Sequence, residues 1–174
     1  MKSVPTTRRR TFLLAAAGFS AALPLVAGCG FELRRAPEMR FRTIQLAGFK
    51  PRSPLADELR MNINASTTTI VVETAAQAQV VLEAIDDVRE KTVVASTAVG
   101  QVTEFQLRAR FKFRVRGAGG RELIPGAELL LTRDMSYTES AALGKEQEEA
   151  FLFRAMQSDI VAQVMRRLAS IQNF

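Results

Sequence analysis

The sequence has no histidine, no tryptophan and a single cysteine among its 174 residues. Without histidine the chain cannot form a Ser-His-Asp triad, use imidazole as a general acid or base, or bind a metal through imidazole. One cysteine excludes internal disulfides, zinc ribbons and iron–sulfur clusters. The sequence also contains neither a glycine-rich phosphate loop nor a nucleophile elbow. We therefore expect a protein that is not an enzyme and that uses no cofactor or metal.

The balance of residue types is that of a globular protein, because 47% of the residues are hydrophobic and 24% are charged. The length suits one domain. The formal net charge is +6, but residues 1–28 carry four basic side chains and no acid, so the rest of the chain has a net charge of only +2. A charge this small does not indicate a nucleic-acid partner, and we expect none.

The N-terminal segment is typical of a bacterial export signal. A basic stretch ends at Arg8-Arg9-Arg10, and an uncharged apolar run follows from Phe12 to Val26. At about 15 residues this run is shorter than the ~20 needed to span a bilayer. The residues Arg9-Arg10-Thr11-Phe12-Leu13 also resemble the twin-arginine export motif. Export by the general secretory route and export by the twin-arginine route both remain open.

The only cysteine stands at the end of this run, in Leu25-Val26-Ala27-Gly28-Cys29. The pattern resembles a lipobox, in which the cysteine thiol is diacylated and becomes the mature N-terminus. Two or three acyl chains hold a protein stably on a membrane without spanning it. We therefore predict lipid attachment at Cys29. The next residue is Gly30 rather than the aspartate that retains lipoproteins in the inner membrane, which favours the outer membrane.

The domain organisation follows from this assignment. We interpret residues 1–28 as a lipoprotein signal peptide, residues 29–40 as a lipidated tether, and residues 41–174 as one domain. The predicted elements are strands at 41–46, 68–74, 78–88, 102–116 and 128–137, and helices starting at Pro54 and spanning 145–171. Ser53 is the expected N-cap of the first helix. The sequence thus predicts an α+β, two-layer sandwich: a mixed four- to five-stranded sheet with two helices, one long and C-terminal, on one face.

The most regular pattern is an alternation between Val102 and Arg116, which predicts a long strand with one apolar and one polar face. Basic residues repeat on the polar face about 6.6–6.8 Å apart, and we call them the basic row: Arg108, Arg110, Lys112, Arg114 and Arg116. One interpretation is a docking site for phosphorylated lipids such as lipopolysaccharide, since guanidinium groups match phosphate geometry. The other is a solvated face neutralised by acids from adjacent strands. The candidates are Glu83, Asp86, Asp87 and Glu90.

Four short motifs, in order along the chain, resemble those of the LptE family of lipopolysaccharide-assembly lipoproteins. They are Cys29-Gly30-Phe31-Glu32-Leu33-Arg34, Thr103-Glu104-Phe105-Gln106-Leu107, Ala142-Leu143-Gly144-Lys145-Glu146-Gln147-Glu148 and Arg166-Arg167-Leu168. The resemblance covers nearly all of residues 29–174.

The resemblance implies a function that composition does not. Proteins of this family plug a large outer-membrane β-barrel, LptD, help to assemble it and bind lipopolysaccharide without catalysis. Lys145 matches a family position associated with lipopolysaccharide binding, whereas a second basic position falls near the uncharged Ala98. Arg108 and Arg110 are hypothetical substitutes for that second charge. The alternative is a free-standing envelope lipoprotein that binds lipid or scaffolds other proteins.

Overall fold

The computed structural model describes residues 38–174, so the predicted signal peptide and Cys29 lie outside the described residues. Within this range the chain forms one five-stranded sheet in the order β2-β1-β3-β4-β5, and none of its helices has the length and hydropathy needed to cross a bilayer. The strands are β1 (Thr43–Ala47), β2 (Ile70–Val72), β3 (Val80–Ser96), β4 (Val102–Gly117) and β5 (Glu122–Ser136), and the helices are α1 (Pro54–Asn64) and α2 (Ala142–Ala169). The predicted α+β class with a mixed sheet is confirmed.

Helix α1 begins where the sequence predicts. The hydroxyl of Ser53 accepts a hydrogen bond from the backbone N–H of Ala56 at 3.3 Å, and Pro54 occupies the first helical position. The helix joins β1 to β2, which pair in parallel with Thr43 opposite Ile70. The strand–helix–strand unit has this form because two parallel strands need a crossover connection between them, which α1 supplies.

Both helices cover the same face of the sheet. The apolar face of β4 supplies Phe111 and Phe113, which are fully buried and stack with ring centroids 5.3 Å apart. Side chains from α1 and α2 pack on them in one core that includes Leu59, Met156 and Val164. Met39, inside the predicted tether, is also buried in this core. The opposite face of the sheet carries the basic row and, within residues 38–174, no helix.

Three element boundaries differ from the predicted ones by three residues or more. β3 runs to Ser96 rather than Val88, because it pairs with β4 along almost its whole length and forms a long antiparallel hairpin. β5 begins at Glu122 rather than at residue 128, and a register shift opposite Val115 accommodates Pro125. Proline is tolerated there because β5 is an edge strand with one free side. α2 begins at residue 142 rather than at residue 145, directly after a 3₁₀ turn.

Strand β3 contains a β-bulge at Ile85. The register between β3 and β4 shifts between Ala84 and Asp86, so Ile85 has no partner of its own. The parallel pairing of β1 with β3 ends just before this point, at Glu83. Beyond the bulge β3 pairs only with β4 among the described strands.

Candidate functional site

Lys145 lies in the first turn of α2, which follows β5 after a 3₁₀ turn. Its ammonium group donates to the hydroxyl of Ser136 at 3.1 Å and to the carboxylate of Glu148 at 2.7 Å, and its side chain is only 19% exposed. The N-cap residue Ala141 provides no side-chain hydrogen bond to the helix. The first backbone N–H groups of α2 therefore add a partial positive charge beside the lysine.

Lys145 lines a cleft of about 400 Å³ between the β3–β4 hairpin and the β5–α2 junction, which we call the Lys145 cleft. Phe105 and Tyr137 form an aromatic wall, meeting edge to face with ring centroids 5.2 Å apart. The ammonium group of Lys91 lies 4.3 Å from the Phe105 ring centroid, a cation–π contact. The cleft thus combines two ammonium groups with aromatic side chains, while Glu139 and Glu146 supply opposing carboxylates.

The structure brings a second basic residue to Lys145, but it is not the one that the motif alignment suggests. Ala98 lies in the short loop at the hairpin tip, and the following residues of that loop line the Lys145 cleft without a charge. Lys91 supplies the charge instead, from the part of β3 that the sequence-based prediction omitted. No local signal in the sequence marks Lys91, because the neighbouring residues of β3 are exposed on both faces; pairing with β4 places it opposite Leu107, whose side chain is buried beneath the helices.

The basic row lies on the other face of the sheet, where most of its members form ion pairs. Arg110 contacts Asp86 at 3.0 Å, Lys112 contacts Glu128 at 3.1 Å, and Arg114 contacts Glu83 at 2.8 Å. Arg116 also contacts Glu83. Arg108 is exposed, and its Nε donates to the side chain of Gln106 at 2.8 Å. Two of the four predicted acids take part, and Glu128 on β5 is an additional one.

Glu83 forms ion pairs with two arginines at one end of the basic row. Arg114 donates to both of its carboxylate oxygens, at 2.9 and 2.8 Å, and Arg116 donates as well. The hydrogen bond from Arg114 lowers the pKa of Glu83 below its ordinary value, although burial opposes this shift. Arg114 correspondingly has a raised pKa, chiefly through the same hydrogen bond. Such ion pairs between adjacent strands are expected if acids from the neighbouring strands neutralise the basic row.

Residues 38–174 hold no group of three or more cysteine or acidic side chains arranged to ligate a metal ion. Several carboxylates near the two candidate surfaces pair with lysine or arginine, as Glu148 does with Lys145 and Glu83 does with Arg114 and Arg116.

Comparison with known proteins identifies the family. The family model for LptE, described as lipopolysaccharide-assembly, matches residues 41–168. The chain belongs to the LptE family. It is accordingly a lipoprotein of lipopolysaccharide assembly, and the prediction that it is not an enzyme is confirmed.

Individual relatives agree with this membership. The LPS-assembly lipoprotein LptE of Photorhabdus laumondii is 25% identical over 159 residues, which cover 87% of this chain and 83% of the relative. The solution structure of an uncharacterized lipoprotein B from Nitrosomonas europaea is 29% identical, with a TM-score of 0.69 over 81% of this chain and 91% of that one. Rare lipoprotein B from Shewanella oneidensis shares the fold, with a TM-score of 0.63, 21% identity, and coverage of 74% and 95%.

Proposed function

We propose that this LptE-family lipoprotein binds lipopolysaccharide in the Lys145 cleft, as the plug subunit of an LptD-type β-barrel in the outer membrane, to which Cys29 anchors it. The observation that carries the binding site is the convergence of Lys145 and Lys91 on one cleft with an aromatic wall. Family membership supports the barrel partner, and the lipobox pattern supports the anchor.

The chemistry of the cleft suits the phosphorylated end of a glycolipid. Ammonium groups bind phosphate oxygens through charge-assisted hydrogen bonds, and partial burial strengthens these because fewer water molecules screen them. Lys145 is well suited to this role because its side chain is mostly buried and held by Ser136, so little rotamer freedom remains to be lost on binding. Phe105 and Tyr137 offer apolar surface to the sugar or acyl portion next to the phosphate.

We expect Lys145→Gln to weaken lipopolysaccharide binding about tenfold, the effect of losing one charge-assisted hydrogen bond to a partly buried anion. Displacement of fluorescent lipopolysaccharide from the purified full chain measures the affinity. Lys50→Gln is the matched control, because it removes the same charge from an exposed lysine in the loop between β1 and α1. Equal affinities for the two variants would refute the assignment of Lys145.

The basic row remains a second proposed contact surface, and the same assay separates it from the cleft. We propose that Arg108, Arg110, Lys112 and Arg114 meet either lipopolysaccharide phosphates or acidic residues of the barrel. In either role the partner's anionic groups would have to compete with the carboxylates of Asp86, Glu128 and Glu83, which already pair with the row, as a phosphate would compete with Glu148 at Lys145. Reversing Arg108, Arg110 and Lys112 to glutamate tests the first role, since loss of binding should then be larger at low salt.

The partner is tested by affinity purification of the tagged, acylated protein from detergent-solubilised outer membranes. We expect a large β-barrel protein to co-purify in near-stoichiometric amount and to resist a high-salt wash, because a plug buries extensive surface inside its barrel. Mass spectrometry identifies the co-purifying proteins. Recovery of the protein alone would instead support the free-standing lipoprotein, the second candidate function that its small, self-contained core permits.

A further inference from the structure

A second cleft, of about 540 Å³, continues from the Lys145 cleft along α2. The two clefts share Lys91 and Glu146, so they adjoin each other between the far half of β3 and the N-terminal half of α2. We call the second part the Arg89 cleft. It adds two arginines, Arg89 from β3 and Arg154 from α2, and the ring of Phe153.

We propose that the Arg89 cleft is a second anion subsite, in which Arg89 and Arg154 bind the second phosphate of a glycolipid that carries a phosphate at each end of a disaccharide. This inference rests on the proposed function, because it takes the Lys145 cleft as the site of the first phosphate. The inference specifies the ligand further: the protein would prefer a glycolipid with two phosphates over one with a single phosphate.

The arginines are placed for this role by their surroundings. Arg89 donates to the side-chain oxygen of Gln157, and the side-chain nitrogen of Gln157 donates to the backbone carbonyl of Pro54 at 3.2 Å. The Arg89 guanidinium also lies 5.9 Å from the Phe153 ring centroid. These contacts hold Arg89 before any ligand arrives, which reduces the entropy lost on binding. Arg154 is exposed, and its guanidinium has no carboxylate partner within the described part of the chain.

Charge balance and spacing both support two subsites rather than one. The Arg89 cleft sets two arginines and Lys91 against two carboxylates, Glu146 and Glu149, of which Glu149 pairs with Lys91 at 2.5 Å, so the cleft has an excess of one positive charge. Lys145 and Arg154 are nine residues apart on one helix, which corresponds to about 14 Å along its axis. A single phosphate cannot bridge that separation, whereas the two phosphates of a disaccharide stand far enough apart to contact one position each.

The test compares two probes, diphosphoryl lipid A and monophosphoryl lipid A, bound to the purified full chain in the same detergent. We expect the wild-type protein to prefer the diphosphoryl form. Arg154→Gln should reduce that preference about fivefold while leaving affinity for the monophosphoryl form unchanged, since an exposed charge-assisted contact is worth that much. Arg166→Gln is the matched control, because it removes an exposed arginine from the last turn of the same helix.

The outcomes distinguish this inference from the proposed function. If Lys145→Gln weakens binding of both lipids but Arg154→Gln acts no differently from Arg166→Gln, the second subsite is wrong and the Lys145 site stands. If Lys145→Gln changes neither affinity, the proposed site fails and the second subsite with it. Glu146→Gln provides a test of opposite sign, because removing the carboxylate common to both clefts should strengthen binding of both lipids. A weakening in that variant would also contradict the proposal.

Discussion

Gly48→Ala is expected to lower the free energy of unfolding of the domain by about 3 kcal/mol, and the midpoint of thermal unfolding by about 10 °C. Gly48 has φ of +77°, a conformation that disfavours any residue with a Cβ. A Cβ atom there would also lie 2.3 Å from the backbone oxygen of Ala84, so the backbone next to the β3 bulge would have to move. Chemical and thermal denaturation followed by circular dichroism measure the change.

Substitutions at two further glycines separate the contribution of the positive φ from that of the close contact with Ala84. Gly100, in the hairpin tip, has φ of +84° but no atom within 4 Å of an added Cβ, so Gly100→Ala should cost only about 1 kcal/mol, the backbone term alone. Gly126 has neither a positive φ nor a close neighbour, and alanine there should be neutral or slightly stabilising. If Gly48→Ala costs no more than Gly100→Ala, the close approach to Ala84 contributes nothing and the explanation is wrong.

The elements that sequence predicted well are those with one buried face. β4 alternates because every second side chain, from Leu107 to Val115, is buried beneath the helices. α1 was located by its cap and by its stripe of Leu55, Leu59 and Ile63, all of which are buried. In these segments the spacing of apolar residues shows which face is buried, because burial of one face produces a period of two in a strand and of about four in a helix.

The elements that sequence placed poorly are those exposed on more than one side. The far half of β3 has exposed residues on both faces, so no apolar alternation marks Arg89 to Ser96 as strand. Its conformation is imposed by pairing with β4, a contact between distant residues that no short window contains. β5 likewise continues through Pro125 because its outer edge needs no hydrogen-bond partner.

The same limitation explains what was missed in the candidate site. Lys145 was found through a motif next to a helix start, but Lys91 lies in the segment of β3 that was not recognised as strand. Its approach to Phe105 depends on the register of the β3–β4 hairpin, in which Val93 lies opposite Phe105 and Lys91 opposite Leu107. The acid partners of the basic row were predicted in part, since Glu83 and Asp86 precede β4 in a neighbouring strand, whereas Glu128 required the register of β5.

Cys29→Ala is expected to abolish acylation and to remove the protein from the outer membrane. Because Cys29 is the only cysteine, no other thiol can accept the lipid, and no disulfide is lost with it. Each buried methylene contributes about 0.8 kcal/mol, so losing the acyl chains removes most of the affinity for a bilayer. Incorporation of radiolabelled palmitate and fractionation of the two membranes measure the result. Continued labelling of the variant would show that the lipobox interpretation is wrong.

Gly30→Asp is the matched variant for this experiment, because it alters the neighbouring residue and keeps the thiol. We expect palmitate labelling to be unchanged while the protein moves from the outer-membrane to the inner-membrane fraction. The pair therefore separates the anchor from the destination: Cys29→Ala removes both, and Gly30→Asp changes only the destination. If the Cys29→Ala protein still co-purified with a β-barrel, contacts of the folded domain would suffice for the partnership, since no acyl chain would remain to hold the two proteins in one membrane. Loss of the barrel in both variants would instead mean that the lipid anchor brings this LptE-family domain to its partner.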